Sequence, residues 1–253
     1  MVKELPAKDA FLDSSVLLSR KFGLAKQKTK IRIKLKNRKR ISSKYAKTEI
    51  KRTFLKDAIW LHSLIVEEGN LLPIYDRISE YPTTQRRKDR CIKILKSVSD
   101  KGNLRYADTL ARLENLILGI EKEVLRGVQI IESGTKCQLA EEELEFNYPY
   151  FDIKHSCTQQ TAICSLPAYL AQNMKVLHVL KTGISGIPHL RKLEQALDIL
   201  LQDPKKAKGN RCKTLGDTII CLDAPKDCDI FSTNEKDFDP ISKHLGKSFV
   251  SAR

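Results

Sequence analysis

The sequence predicts an α/β fold with a mostly parallel central sheet, and three of its features indicate this class. Residues 10–12 form a short apolar run that ends at a single acid, Asp13, as expected for a buried strand. Residues 229–232 form a second short segment that is expected to be a strand, and an apolar helix that begins near Asp217 precedes it. The middle of the chain carries apolar residues at helical spacing. We therefore expect strands near both ends of the chain and helices between them.

Length and composition limit the class of protein. The chain has 253 residues, enough to bury a sizeable core as one large domain or two small ones. Charged residues interrupt the first eight positions and no stretch is apolar enough to span a bilayer, so neither a signal peptide nor a membrane helix is expected. Seven cysteines, an odd number, favour a reducing compartment over a disulfide framework. We expect a cytoplasmic protein.

The formal net charge of +15 is concentrated in one segment. Residues 20–56 hold 16 Lys and Arg and one acid, Glu49, whereas the remainder carries 30 basic and 30 acidic residues. Within residues 28–40 the basic side chains of Lys30, Arg32, Lys34 and Lys36 alternate with the apolar side chains of Ile31, Ile33 and Leu35. A period of two predicts a strand with one cationic face. Most basic runs are simply solvated, but this one has an apolar side to anchor it, which favours a surface that follows a phosphate backbone.

Acidic residues follow both terminal strands or lie on the helices beside them. Asp13 ends the first strand, and Glu49 lies in the second turn of a helix with serines at its start. Asp217 opens an apolar helix, and Glu235 and Asp237 follow the second strand. Ligands of open α/β sheets bind at the carboxyl ends of the strands. These acids could therefore meet in one pocket.

Four segments, in this order, resemble the PIN-domain nucleases: FLDSSVLL, ISSKYAKTEIKR, GDTIICLDA and DIFSTNEKDF. The resemblance covers residues 9–56 and 211–250. It implies a three-layer PIN-like fold with a large helical insertion, and metal-binding acids at Asp13, Glu49, Asp217 and Glu235, with a further acid at Asp237. Glu235 departs from the family, which usually has aspartate there. Because its longer side chain shifts the carboxylate, the metal would rely more on Asp237.

The domain division follows from the positions of these segments. Residues 1–68 and 205–253 would form the nuclease core, and residues 69–204 a helical insertion packed on it, with a separate domain as the alternative. Helices are expected at residues 90–98, 104–131, 161–180 and 190–201. Basic side chains near the expected site complete the nucleic-acid surface. Its members are Lys30, Arg32, Lys34, Lys36, Arg52, Lys208 and Arg211.

Two further groups of residues invite a functional interpretation. Trp60 and His62 follow Glu49 on the same expected helix, and either ring could contact a base, although a lone aromatic on an apolar helix is usually part of the core. His155, Cys157 and Cys164 lack the paired CxxC spacing of zinc sites, so structural zinc is not expected.

The acids themselves indicate the cofactor. Clustered carboxylates repel one another unless a cation neutralises them, and oxygen ligands favour Mg²⁺ or Mn²⁺ over zinc.

The leading functional prediction is a metal-dependent endonuclease that hydrolyses phosphodiester bonds, most simply those of RNA, as the resemblance implies. One alternative is a PIN-like scaffold that binds RNA or a protein without cutting. Another is a nuclease for structured DNA, because the 2′-hydroxyl contacts that select RNA have no sequence signature. A protein partner or self-association is compatible with each. Divalent-metal binding would distinguish the two nuclease hypotheses from the scaffold hypothesis, because a scaffold does not need a metal.

Overall fold

The computed structural model describes residues 8–99, 105–137, 145–147, 149–152, 164–207 and 210–253. Among these residues, five parallel strands form an open sheet in the order β3-β2-β1-β6-β7, and two antiparallel strands, β4 and β5, form a hairpin. The strands are β1 (Asp9–Leu12), β2 (Arg40–Ser43), β3 (Gln129–Ile131), β4 (Glu145–Asn147), β5 (Tyr150–Asp152), β6 (Cys228–Ser232) and β7 (Ser248–Ser251). The predicted α/β class with a parallel central sheet is confirmed.

Helices make up most of the remaining described chain. They are α1 (Ser14–Phe22), α2 (Ala25–Lys34), α3 (Lys44–Ile50), α4 (Lys56–Glu68), α5 (Ile74–Glu80), α6 (Gln85–Val98), α7 (Tyr106–Val124), α8 (Leu166–Gln172), α9 (Met174–Ile184), α10 (Arg191–Gln202), α11 (Asn210–Thr214), α12 (Gly216–Asp223) and α13 (Glu235–His244). A wider π-helical turn, Lys51–Leu55, joins α3 to α4, and Gly69, with φ 66°, ends α4. None of the helices described here is long and apolar enough to cross a membrane.

The two central strands, β1 and β6, are almost entirely buried. Every residue of β6 is buried, and Phe11 and Leu12 of β1 have no exposed surface. The strands pair in parallel from Asp9 opposite Cys228 to Leu12 opposite Phe231. The backbone N–H of Asp13 donates to the Phe231 carbonyl at 3.0 Å, so the pairing continues one residue past β1. The carboxyl ends of both strands therefore reach the same edge of the sheet.

The chain forms two compact units. The first consists of Met1–Thr48, Leu125–Glu141 and Ser156–Arg253 and contains the parallel sheet; the second consists of Glu49–Val124 and Glu142–His155. These boundaries differ from those expected from the sequence in three places, the first of which is β3, within Leu125–Glu141, which belongs with the sheet. Helices α8 to α10 belong with the sheet, and α4, which follows Glu49, belongs with the second unit.

The expectation of a strand within residues 28–40 is wrong, because this segment begins inside helix α2. Ile31 and Leu35, four residues apart, are buried, whereas Ile33 between them is 65 % exposed. Burial at i and i+4 is the helical pattern, and in so short a segment it coincides with a period of two. Lys, Arg, Gln and Ala are also good helix formers, which favours the helix further.

A second correction concerns residues 104–131, which do not form one helix. Helix α7 ends at Val124, and Gln129–Ile131 forms β3, the edge strand beside β2. Gly127 has φ 67°, in the left-handed region, and lies in the connection that separates α7 from β3. The apolar residues of β3 continue the spacing of α7 by coincidence, because a strand of three residues is too short to show its own period.

Asp223, the last residue of α12, joins three parts of the first unit. Its carboxylate accepts hydrogen bonds from the Ser133 hydroxyl at 2.6 Å, the Gly134 N–H at 3.0 Å and the Tyr169 hydroxyl at 3.1 Å. Burial raises the pKa of Asp223, and these hydrogen bonds oppose the rise because they stabilise the ionised form. Burial also raises the pKa of Tyr169, and the charge of Asp223 adds to the rise. The connection after β3 and helix α8 are thereby fastened to α12.

The Gly134→Ala change should destabilise the protein, because a Cβ at this position would overlap the Tyr169 ring. Displacing the ring would also break its hydrogen bond to Asp223, and such overpacking typically costs about 1–3 kcal/mol. Gly119→Ala is the matched control: it lies inside α7, where the added methyl group would lie 4.0 Å from the Glu123 side chain, so it should stabilise by about 0.5–1 kcal/mol. Urea denaturation of both variants measures the two effects, and equal stabilities would contradict the packing at Gly134.

Candidate active site

Asp13 lies at the carboxyl end of β1 and caps the amino end of α1. Its residue surface is 3 % exposed. One carboxylate oxygen, Oδ2, accepts hydrogen bonds from the Ser15 N–H at 3.2 Å, from the Ser15 hydroxyl, and from the Ser232 hydroxyl at 2.8 Å. The other, Oδ1, accepts from the Ser14 hydroxyl at 3.1 Å. The bond from the Ser15 N–H is that of a helix cap, whereas the bond from Ser232 crosses from the neighbouring strand.

Asn234 connects two further carboxylates. Its Nδ2 atom donates to Asp237 Oδ2 at 2.7 Å and to Asp217 Oδ2 at 3.4 Å, so the two oxygens lie no further apart than the sum of these distances. Asp217 is in the first turn of α12 and Asp237 in the first turn of α13. Backbone N–H groups at helix starts favour negative charge, which explains how two carboxylates can share a neighbourhood.

Ser232 joins these two groups into one hydrogen-bond network. Its hydroxyl donates to Asp13 and accepts from the backbone N–H of Asn234 at 3.0 Å. The thiol of Cys221 gives a second sign of proximity. Burial raises the pKa of this thiol, and the charges of Asp217 and Asp13 raise it further, so both carboxylates act on the same sulfur atom. The structure thus gathers Asp13, Asp217 and Asp237 at one end of the central strands.

Glu235 and Asp237 have different surroundings although both lie in the first turn of α13. Glu235 is exposed, whereas the Asp237 side chain is 33 % exposed and contacts Asn234. His189 donates from Nε2 to the Lys236 carbonyl at 2.9 Å, and the same nitrogen lies 3.9 Å from Asp237 Oδ1. Of the two acids, Asp237 is the one that faces the network.

Glu49 is the first residue of the second unit and lies near the end of α3. Its side chain is 15 % exposed, and Oε1 lies 3.7 Å from the Arg52 guanidinium. The Arg52 side chain is itself only 7 % exposed, so it has little surface to offer a phosphate.

The basic residues of α2 and the segment after it divide into two classes. Lys30, Arg32 and Lys36 are exposed, as a phosphate-binding surface requires. Lys34 is half-buried, and its amino group donates to the carbonyls of Ser251 at 2.6 Å and Arg253 at 3.1 Å. Lys34 therefore fastens the carboxyl-terminal segment rather than facing a ligand.

The other basic candidates lie near the start of α11. Arg211 donates to the Lys206 carbonyl at 3.2 Å and is half-buried. Lys208 lies outside the described residues, as do His155 and Cys157 of the cysteine–histidine group.

The donors of the network suit a hard cation in their chemistry, since they are carboxylate and hydroxyl oxygens and one amide. In the part of the chain that the structure describes, no three or more His, Cys, Asp or Glu side chains are grouped as a metal site. The amide of Asn234 instead donates to both carboxylates, Asp217 and Asp237.

Sequence reasoning missed the two residues that connect the acids, Ser232 and Asn234. Both are neutral, so neither stands out among charged residues. The available signal was their place: Ser232 ends an apolar strand, and Asn234 directly precedes a helix, where a side chain can reach free N–H groups or neighbouring acids.

Comparison of the chain with profiles of protein families, with curated proteins and with solved structures finds no significant match. Function is therefore inferred from the residues themselves.

Asp13 has a capping role and a charge, and two substitutions separate them. Asp13→Ala should destabilise the protein by about 0.5–2 kcal/mol, because it removes the cap of α1. Asp13→Ser keeps a capping hydroxyl and should recover most of that stability while removing the charge. Denaturant unfolding measures the free energy of unfolding of both variants and checks that Asp13→Ala loses more of it than Asp13→Ser. Equal losses for both variants would show that the cap contributes little and that the bond to Ser232 is the stabilising one.

Proposed function

We propose that this chain is a divalent-metal-dependent endonuclease with a three-layer PIN-like fold that hydrolyses phosphodiester bonds of RNA. The observation that carries the proposal is the hydrogen-bond network that runs from Asp13 through Ser232 and Asn234 to Asp217 and Asp237. It lies at the carboxyl ends of two parallel central strands, which is the usual ligand position in open α/β sheets.

The charge of the network supports a cation as its ligand. Asp13 is held by hydroxyls and a backbone N–H, all neutral donors, and one neutral amide serves both Asp217 and Asp237. Hydrogen bonds from neutral donors do not cancel the charge of a carboxylate. Mg²⁺ or Mn²⁺ held by these three carboxylates would supply a nucleophilic water of lowered pKa and charge stabilisation at the scissile phosphate.

The chain's own residues have separate roles in this proposal. Ser232 fixes the orientation of the Asp13 carboxylate from the neighbouring strand, and Asn234 sets the spacing of Asp217 and Asp237. Asp237, rather than Glu235, takes the position of the late acid, since it is the one in contact with Asn234. For Glu49 the proposed metal-binding role rests on the sequence resemblance alone.

A non-catalytic scaffold is the second candidate, and one observation favours it. The NH₂ group of Asn234 already partners both carboxylates. A protein that only binds RNA or another protein has no need of a metal, and this amide would then be a permanent structural link. The candidates differ in whether Mn²⁺ binds and whether phosphodiester bonds are cut.

The Asp217→Asn change should lower cleavage of labelled single-stranded RNA by about 100-fold or more, as removal of one charge-stabilising group commonly does. Binding of the RNA should be retained or improved, because one negative charge near the phosphates is gone. Assays with Mg²⁺, Mn²⁺ or EDTA, and with single-stranded and structured DNA in parallel, establish metal dependence and substrate class. Asp227→Asn, an exposed acid before β6, is the matched control and should cleave like the unchanged protein.

Two outcomes would contradict the assignment. Cleavage that persists in EDTA would exclude a metal-dependent mechanism, and a parallel loss of binding and cleavage in Asp217→Asn would indicate misfolding.

The same assay compares the two acids of α13: Asp237→Asn should lose more activity, and more of the thermal stabilisation by Mn²⁺, than Glu235→Gln.

The exposed basic residues around α2 should contribute to the salt dependence of RNA binding. Each phosphate contact on a single strand adds about 0.7 to the slope of log affinity against log salt. Replacing Lys30, Arg32 and Lys36 together by Ser should therefore flatten the slope by about 2 units. The matched control removes three exposed lysines elsewhere in the same unit, Lys175, Lys192 and Lys243. Equal changes of slope in both triple variants would show that net charge matters and the position around α2 does not.

A further inference from the structure

An aromatic pair lies on the second unit. Trp60 on α4 and Tyr81, directly after α5, have ring centroids 4.7 Å apart and planes tilted by 50°. Tyr81 is 38 % exposed and Trp60 is half-buried, so the pair reaches the surface. His62 on the same helix is fully buried against Phe151 and belongs to the core. We call Trp60 and Tyr81 the aromatic platform.

The guanidinium of Arg87 lies over both rings of the platform, 5.2 Å from the Trp60 centroid and 5.8 Å from that of Tyr81. Its Nε donates to Asp57 Oδ1 at 2.8 Å, and Arg90 Nε donates to Asp57 Oδ2 at 2.6 Å. Two arginines share this one carboxylate, which is only 5 % exposed, so one positive charge beside the rings remains uncompensated within the cluster.

Backbone hydrogen bonds fix the main chain at Tyr81, and its ring packs against Trp60 and Arg87. Its N–H donates to the Arg77 carbonyl at 3.0 Å and its carbonyl accepts from the Thr83 N–H at 2.8 Å. A ring that is already held in place loses little conformational entropy when a ligand stacks on it. The platform is thus preorganised.

Helix α6, which carries Arg87 and Arg90, is strongly basic. Its 14 residues include six Lys and Arg and one acid. Three of the basic side chains, Arg86, Lys93 and Lys96, are exposed. An anionic polymer is therefore the ligand that this helix would attract.

We propose that the aromatic platform stacks an unpaired base of single-stranded nucleic acid while basic residues of α6 contact its phosphates. Aromatic rings beside cationic side chains are the combination that single-strand-binding surfaces use, and bases within a duplex are already stacked on one another. This inference rests on the proposed function and narrows its substrate to single strands. An acidic protein segment would use the charge of α6 but would have no planar base for the rings.

The test uses the fluorescence of Trp60, the only tryptophan in the chain. A single-stranded RNA of about ten nucleotides, within the usual site size, is added in EDTA so that no cleavage occurs. We expect quenching of the emission, and a polarisation assay with labelled RNA gives the affinity. Tyr81→Ala should weaken binding about 5- to 100-fold, the loss of one base–aromatic stack. Tyr81→Phe keeps the ring and should bind like the unchanged protein.

The matched control is Tyr150→Ala, which removes another exposed tyrosine, 44 % accessible, from β5 of the same unit. Unaltered affinity of Tyr81→Ala, equal losses in both alanine variants, or equal binding of duplex RNA would each overturn the platform. Tyr81-dependent binding by a protein that cuts nothing would support the platform and refute the nuclease. Cleavage by a protein whose RNA binding does not depend on Tyr81 would support the nuclease and refute the platform.

Discussion

The parallel pairing of β1 with β6 is the constraint on which the rest of the structure depends. It joins residues 219 positions apart, Asp13 and Ser232, through one hydrogen bond at the carboxyl ends of the two strands. The register is set by buried side chains, because a shift of one residue would exchange the side chains of β6 between the two buried faces of the sheet. Loop-closure entropy grows only with the logarithm of length, so the long intervening chain is a tolerable cost. The pairing of β1 with β6 therefore brings Asp13 close to the segment that carries Asn234 and Asp237.

The parts of the fold that the sequence predicts are those in which apolar residues form an uninterrupted run. Strand β1, helix α12 and the centre of β6, Ile230 and Phe231, follow from such local signals. The segment at α2 was mispredicted because burial of Ile31 and Leu35 satisfies two periods at once, and only packing selects one. Strand β3 was missed because three residues carry no period. Sheet order depends on contacts between distant segments, so no local pattern contains it.

The positions of the acidic residues in the sequence predict most of the site, but they do not show which acids face inward from a helix. Asp13, Asp217 and Asp237 were candidates from their positions beside strands and helices, and they share one network. Glu235 and Asp237 are two residues apart, which is about 200° around a helix, so only one of them can face inward. Which one does depends on where α13 begins. Ser232 and Asn234 were missed because neutral connectors leave no mark in a charge pattern.

The buried thiol of Cys221 makes the acid network observable from outside. Cys221 lies on α12 one turn after Asp217, has no exposed surface, and has a pKa raised by burial. Only a thiolate reacts with alkylating reagents, so this sulfur is protected both by its protonation and by its position. It becomes reactive when α12 opens, locally or with the whole unit. The rate at which a thiol reagent modifies Cys221 therefore reports how often α12, the helix that carries Asp217, opens.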